Sequence, residues 1–437
     1  GQGGLQDSTV GWMAGEKRKR EEAHLENLDQ KRFKEHKYAT RSRSGYNKQG
    51  FRSTTVSSSK EGVPKPAPTS YALHASLKDK LSPPWRRDDE DGHYVFVVGE
   101  NLTRRYKILS KLGEGTFGKV VECWDRIRKE YCAVKIIRNV PKYRRAAFLE
   151  LSVLNTLRKN DPGRTKHCVH LKEWFDYRGH ICMVFTKLGM SLFDLLRKNG
   201  YRSFDLFHVQ AFARQLMEAV AFSHSLKLIH TDLKPENILL SSHKYHKPEP
   251  KTGSTCGKRV PEKSDIFLID FGSATFQDQH HSEIVSTRHY RAPEVIMGLG
   301  WTYPCDMWSV GCILAELVTG EALFKTHDDL EHLAMIQQVV GHVPAKMAKR
   351  ASSRSAPYFD KSGKLLWPSE LTLPGGIEAV EKLKALNTII SERCDNSTLP
   401  ALDLFLDLMK GMLQVDPSRR ISAASALSHR FFAHRCG

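Results

Sequence analysis

Apolar positions fall into three regimes along the chain. Residues 1–90 show sparse apolar periodicity and are rich in Ser, Lys, Arg, Gly and Pro, which predicts a mostly disordered extension. Order is expected to begin near Tyr94-Val-Phe-Val-Val98. From there to about residue 190 the pattern is that of strands. Tyr106–Leu112, Val120–Trp124, Tyr131–Ile137 and Ile181–Phe185 are apolar, β-branched runs of strand length. Between them Phe148, Leu151, Leu154 and Leu157 recur at helical spacing. Beyond residue 190 the helical period dominates. Leu206, Val209, Phe212, Ala213, Leu216, Ala219 and Val220 make one stripe, and Met307–Val318 is apolar nearly all round, as a central buried helix would be. A strand-rich lobe followed by a helix-rich lobe predicts an α+β fold with a cleft between the two. Two polar stretches interrupt it. Residues 241–263 read as a surface insertion and residues 343–400 as a partly ordered one.

Composition narrows the classes. The chain has 437 residues, 40% of them hydrophobic, with no uncharged apolar run of membrane-spanning length. The first 20 residues hold no apolar core of a signal peptide, and Leu5 stands where a myristoylated Gly1 would need Ser or Thr. Nine scattered cysteines, with no C-x-x-C pair, argue against a disulfide framework or a structural zinc and for a reducing compartment. The net charge of +18 predicts an anionic partner, or solubility and nuclear import. Lys17-Arg-Lys-Arg20 and Lys31-Arg-Phe-Lys34 have the spacing of a bipartite import signal; the competing reading is a solvated helix with pairs such as Arg18 and Glu22. Arg41-Ser42-Arg43-Ser44 is a short Arg-Ser repeat.

The chemistry lies in four elements. Gly113-Glu114-Gly115-Thr-Phe-Gly118-Lys-Val120 sits between two strand-like runs and opens no helix, so it reads as a hairpin whose backbone can approach phosphates. Lys135, in Ala133-Val-Lys135, is embedded in an apolar strand and is costly unless paired; Glu150 on the next helix is the candidate partner. In His230-Thr-Asp232-Leu-Lys234-Pro-Glu-Asn237, Asp232 can accept a hydroxyl proton, Lys234 can neutralise a transferring group, and Asn237 offers an oxygen to Mg²⁺. Phe267-Leu-Ile-Asp270-Phe-Gly272 adds a second carboxylate suited to a metal that bridges phosphates. Each could be coincidence alone. A lysine can snorkel and a glycine run can be a plain turn, but all four in this order, ending in Ala292-Pro-Glu294, are not.

On these motifs the chain resembles the eukaryotic protein kinases over about residues 106–433. The resemblance implies a bilobal fold, with an N-lobe at 106–186, a C-lobe at 189–433 and ATP and Mg²⁺ in the cleft. Leu112, Val120, Ala133, Phe185, Leu188 and Leu239 would line the nucleotide site with the glycines. Asp306 would steady the catalytic loop, Arg420 would pair with Glu294, and Thr287 would sit against Asp232 and Lys234. His230-Thr-Asp232, Val285–Glu294, Glu331-His-Leu-Ala-Met335 and Asp91-Gly-His-Tyr-Val-Phe96 narrow the likeness to the CDC-like, or LAMMER, kinases, with 91–105 as an extension packing on the N-lobe. Members of that family are dual-specificity serine/threonine kinases of Ser/Arg-rich splicing factors. This implies a nuclear location, with the cytoplasm as a second site, and a monomer acting on protein substrates. A pseudokinase scaffold, or a kinase of the same group with a substrate that is not Ser/Arg-rich, is the first alternative; direct nucleic-acid binding stands well behind, since no RNA-binding aromatic strand or zinc finger is present. Two departures stand out. The signature helix changes to Ile336-Gln337-Gln338, which is expected to alter substrate docking rather than activity. Thr231 replaces the arginine that would hold a phosphorylated activation segment, which predicts activity without an upstream kinase. Asp88–Asp91, Asp328 and Asp329 are the acidic candidates for an Arg-rich substrate.

Overall fold

The computed structural model describes residues 85–247, 258–370, 372–394 and 399–434. The basic clusters, the Arg-Ser repeat and the middle of the 241–263 stretch lie outside the described residues. Strand alternation builds a five-stranded antiparallel sheet from β1 (Tyr106–Gly115), β2 (Gly118–Asp125), β3 (Glu130–Ile137), β4 (Leu171–Tyr177) and β5 (His180–Thr186), in the order β1-β2-β3-β5-β4. Because side chains alternate, Val121, Cys123, Cys132 and Val134 are buried on one face while Ala133 and Lys135 point to the other. The buried face is closed by Tyr94 and Leu102 from the segment before β1.

Within that segment no strand forms over 94–98. Tyr94 instead lays its ring edge-on against Tyr177 and His180, at centroid distances of 6.0 and 5.4 Å. The apolar residues there cover a sheet face rather than pair with an edge. β4 was not legible as a strand, because a register shift between Leu171 and Glu173 breaks its alternation.

Helix α1 (Pro141–Asn160) follows β3. Pro141 occupies its first turn, where a missing N–H costs nothing, and Arg158 and Lys159 face its negative end. Its buried stripe holds Ala147, Leu151, Leu154 and Leu157, and one carboxylate, Glu150. The C-lobe is built on α2 (Leu192–Lys198), α3 (Leu206–Ser225), α4 (Pro304–Thr319), α5 (Asp329–Val339), α6 (Pro374–Glu381), α7 (Leu386–Ser391) and α8 (Leu399–Met412), with shorter turns between them. In α4 every residue from Cys305 to Thr319 is buried. Among the described residues no helix is long and apolar enough to cross a membrane, and the cysteines are free thiols.

Short strands carry the chemistry-bearing loops between lobes: β6 (Leu228–Ile229), β7 (Ile238–Leu240), β8 (Tyr245–His246), β9 (Val260–Pro261), β10 (Ile266–Leu268) and β11 (Thr275–Phe276). β7 pairs with β10, β6 with β11, and β8 with β9, so the described ends of the 241–263 insertion form a small ladder. The described residues between 343 and 400 are more ordered than their composition suggested. Val380, Leu386 and Ile390 join the main core, and Gln338 Nε2 donates to Leu383 O at 3.0 Å.

One buried ion pair ties the activation segment's end to the C-lobe. Arg420 Nη1 and Nη2 donate to Glu294 Oε1 and Oε2 at 2.7 and 2.9 Å, with both side chains sequestered from water. Removing one partner strands a buried charge. Arg420→Met should therefore cost about 3–5 kcal/mol in urea unfolding; a loss below about 1 kcal/mol, the range of a surface pair, would contradict this.

Candidate active site

The glycine hairpin is the roof. β1 and β2 pair as far as Gly115 and Gly118, leaving Thr116 and Phe117 at the tip. The glycines divide by role. A side chain on Gly118 would be driven into the Ile136 carbonyl of the next strand, so close packing requires glycine there. A Cβ on Gly113 or Gly115 would meet nothing within 4 Å. The protein's own packing does not demand those two glycines; the space they leave suits a ligand backed by main-chain atoms.

Beneath the roof, three charges converge. Lys135 Nζ donates to Glu150 Oε1 at 2.7 Å and Oε2 at 3.0 Å, and to Asp270 Oδ1 at 3.0 Å. Lys135 sits opposite Val120 in the β2–β3 ladder and two residues from Ala133, which pairs with Phe185. These apolar side chains share the lysine's face of the sheet. Leu239, at the centre of β7 in the lower lobe, pairs with Phe267 and bridges Ser191. Leu112 is exposed at the hairpin's base, and Leu188 is half-buried just past β5.

Burial alone would lower the Lys135 ammonium, but the two carboxylates more than offset it and raise its pKa. Attraction to Lys135 holds the Asp270 carboxyl below its usual range. Burial pushes the Glu150 carboxyl upward against the same attraction.

The catalytic loop is fixed from below by Asp306 at the head of α4. Its Oδ2 accepts from His230 N and its Oδ1 from Thr231 N, both at 2.9 Å. Burial would raise this carboxyl, but bonds from His224 and the loop amides hold it low and ionised. His230 spans two motifs: Nε2 lies 3.1 Å from Ile269 O, and Nδ1 accepts from Asp232 N at 3.3 Å. A carbonyl only accepts, so Nε2 carries the hydrogen. Thr231 takes a left-handed backbone (φ 67°), and its hydroxyl donates to Ser273 O at 2.9 Å.

Asp232 Oδ1 accepts from Thr287 N at 3.1 Å and Thr287 Oγ1 at 2.7 Å, while Oδ2 lies 3.0 Å from Lys234 Nζ. Lys234 also donates to Thr287 Oγ1 at 3.2 Å. Burial would lower the Lys234 ammonium; Asp232 overrides it and raises its pKa.

The donor set fits a magnesium nucleotide. Asn237 Nδ2 donates to Asp232 O at 2.9 Å, which fixes the amide and leaves Oδ1 without a protein donor among the described residues. Asp270, also left-handed (φ 58°), has Oδ1 on Lys135 and Oδ2 without a hydrogen bond there. Among the described residues no cluster of three or more His, Cys, Asp or Glu could hold a metal alone. One carboxylate and one amide oxygen suit Mg²⁺ completed by phosphates and water. A separate cavity of about 330 Å³, lined by Val339, Leu386, Lys410 and Leu413 among others, shares no residue with this site.

Sequence reasoning missed how the signature helix acts. It is tied to the activation segment beside Thr287. Arg288 Nη1 donates to Asp329 Oδ1 in the first turn of α5, one residue from Thr287. The retained half, with His332 and Leu333 fully buried, therefore packs behind the activation segment. The altered half serves the insertion: Gln337 Oε1 accepts from Val343 N, and Gln338 bonds Leu383. The acidic docking candidates are likewise engaged within the protein. Asp328 caps α5 through Glu331 N, and Asp88, Asp89 and Asp91 bond N-lobe residues.

The two-lobed fold and this cleft define a protein kinase. The sequence profile of the protein kinase domain matches residues 106–432. The chain is 55% identical over 367 residues to the serine/threonine-protein kinase AFC1 of Arabidopsis thaliana, covering 82% of this chain and 78% of that one. It is 46% identical over 352 residues to the dual specificity protein kinase lkh1 of Schizosaccharomyces pombe (79% and 49% covered) and 44% identical over 350 residues to human CLK2 (79% and 67%). A crystallised kinase domain superimposes with a TM-score of 0.72 at 36% identity, over 79% of this chain and all of the other. The chain belongs to the CDC-like, or LAMMER, family of protein kinases.

Lys135→Met should narrow in cost as pH falls. Asp270 is held low, so its stabilising contribution is full above the unfolded carboxylate pKa near 3.9 and is lost as pH drops through its folded value. The variant also strands Glu150, a penalty that protonation relieves. The stability gap to the parent should be larger at pH 7 than at about pH 2.5, below the unfolded carboxylate pKa, in denaturant titrations; a gap independent of pH would refute the coupling.

Proposed function

We propose that the chain transfers the ATP γ-phosphate to Ser and Thr hydroxyls of Ser/Arg-rich splicing factors in the nucleus, and to its own Tyr residues. The observation that carries the transfer chemistry is convergence: Lys135, Asp270 and Asn237 border one cleft with Asp232, Lys234 and Thr287. A scaffold would not need all six.

In this reading the glycine backbone and Lys135 hold the phosphates. Glu150 keeps Lys135 aimed. Asp270 and Asn237 would hold Mg²⁺, which would neutralise charge building on the phosphates. Asp232 orients the acceptor hydroxyl and takes its proton. Lys234 steadies the transferring group, and Thr287 fixes both side chains from the activation segment. Val120, Ala133, Phe185, Leu188 and Leu239 enclose the adenine. The dual-specificity part draws on relatives such as lkh1 and CLK2, which are named as dual specificity kinases. The Ser/Arg-rich part draws on the family likeness, and the import-type basic clusters support the nuclear part.

Activity without an activating phosphate is supported by how the segment is held. Thr231 bonds Ser273, β11 pairs with β6, Trp301 Nε1 donates to Ser282 O at 2.8 Å, and Arg291 donates to Val285 O and Ser286 O at 3.0 Å each. No phosphate is required by any of these contacts.

Asp232→Asn should drop turnover by about 10³-fold or more while leaving the unfolding midpoint near the parent's, since orientation and base function are lost together; near-normal turnover would overturn the role. Phosphatase-treated protein should retain phosphate transfer; complete loss would contradict phosphate-independent activity. On peptide arrays with ATP and Mg²⁺, Arg-Ser repeats should lead. A preference for acidic or Pro-directed sites would sink the substrate reading but not the kinase reading.

A further inference from the structure

The glycine hairpin lies at the open edge of the sheet. Among the named strands β1 pairs only with β2, and the bridge from Asn101 reaches only Lys107 near its start, so other contacts must hold its tip down over a nucleotide. The structure supplies them from residues 88–93. Asp89 Oδ1 accepts from His93 N at 2.7 Å and Gly92 N donates to Asp89 O at 2.9 Å, closing a tight turn. Gly92 needs its left-handed backbone (φ 78°), and a side chain there would meet Val140 at 2.9 Å. The turn docks on the residues that follow β3. Asn139 N donates to Gly92 O at 2.8 Å and Asn139 Nδ2 to Asp88 Oδ2 at 3.2 Å. Asp88 Oδ1 lies 3.0 Å from Nε2 of the buried His180.

Arg138 then joins turn to hairpin. Its Nε donates to Asp91 O at 2.6 Å and its Nη2 to Asp91 Oδ1 at 3.1 Å. Its Nη1 donates to Thr116 O at the hairpin tip at 3.1 Å, and its backbone N–H to Phe117 O at 3.0 Å. The same guanidinium lies over Tyr143, against whose ring Phe117 rests edge-on. A second tether pairs Asp89 Oδ2 with Lys119 Nζ at 3.1 Å, one residue past Gly118. Arg138 lies three residues beyond Lys135, so the tip is referenced to the strand that carries the phosphate-facing lysine.

We propose that residues 88–93 form a clamp that sets the closed position of the glycine hairpin, with Asp89 and Arg138 as positioning residues for the nucleotide phosphates. Neither touches the nucleotide. Without the clamp the guanidinium has no fixed origin, and the hairpin samples open positions in which its amides no longer meet the phosphates. The clamp acts on nucleotide binding, and the groups around Asp232 keep their geometry.

In the full chain, Asp89→Ala and Gly92→Val should each raise KM for ATP about three- to tenfold, the range of one ordinary hydrogen bond's net contribution, with kcat at saturating ATP nearly unchanged. A direct ATP/Mg²⁺ binding titration should move by the same factor, which separates this test from any error about the protein substrate. Amide exchange over residues 113–118 should quicken in both variants. Arg86→Ala, which breaks the Arg86–Glu100 pair in the same extension beside the base of β1 and makes no contact with the hairpin tip, is the control and should change none of these. An unchanged nucleotide affinity in the first two variants, or an equal shift in the control, would overturn the proposal.

Discussion

The cleft depends on one constraint: a lysine on an apolar strand must find carboxylates or carry an unpaired charge out of water. Lys135 finds Glu150 from above and Asp270 from below. The first partner fixes α1 against the sheet. The second fixes the Phe271–Ser273 turn, and through Ile269 N–H bonding Asn237 O it fixes the catalytic loop. Satisfying one charge thus sets the register of both lobes. The cost of Asp270's left-handed backbone is borne where that geometry aims its carboxylate.

The lower half of the site follows a similar logic with opposite sign. Asp306 is a buried carboxylate, and its neutralisers are the backbone amides of His230 and Thr231 together with His224. Those amides belong to the residues immediately before Asp232. The loop geometry is therefore a by-product of satisfying Asp306. Thr287 closes the ring by bonding Asp232, and Arg288 carries that closure to Asp329 on α5. The signature helix reaches the chemistry through this two-residue bridge.

How much of this was legible in the sequence follows from range. Lys135, Asp232, Asn237 and Asp270 sit in short segments whose residue types make sense only together, so local reading found them. The glycine hairpin was legible because its flanks alternate as strands do. Tyr94–Val98 misled because covering a sheet and pairing in one leave a similar apolar signal. The role of Asp329 was hidden, since its partner lies 41 residues away and both look like solvated charges. The same holds for Arg138 and Asp91, and for the acidic run at 88–91, which bonds within the N-lobe. Residues 343–400 looked loose because their apolar positions are widely spaced, yet Val380, Leu386 and Ile390 reach the core.

The central claim is that Lys135 and Glu150 serve the nucleotide as one unit. A double-mutant cycle on phosphate transfer addresses it directly, comparing Lys135→Met, Glu150→Gln and the pair together. If the two act as a unit, the double variant is no slower than Lys135→Met alone, because Glu150 has nothing left to aim. Losses that multiply across the two substitutions would mean they act separately, and the account of the cleft would be wrong.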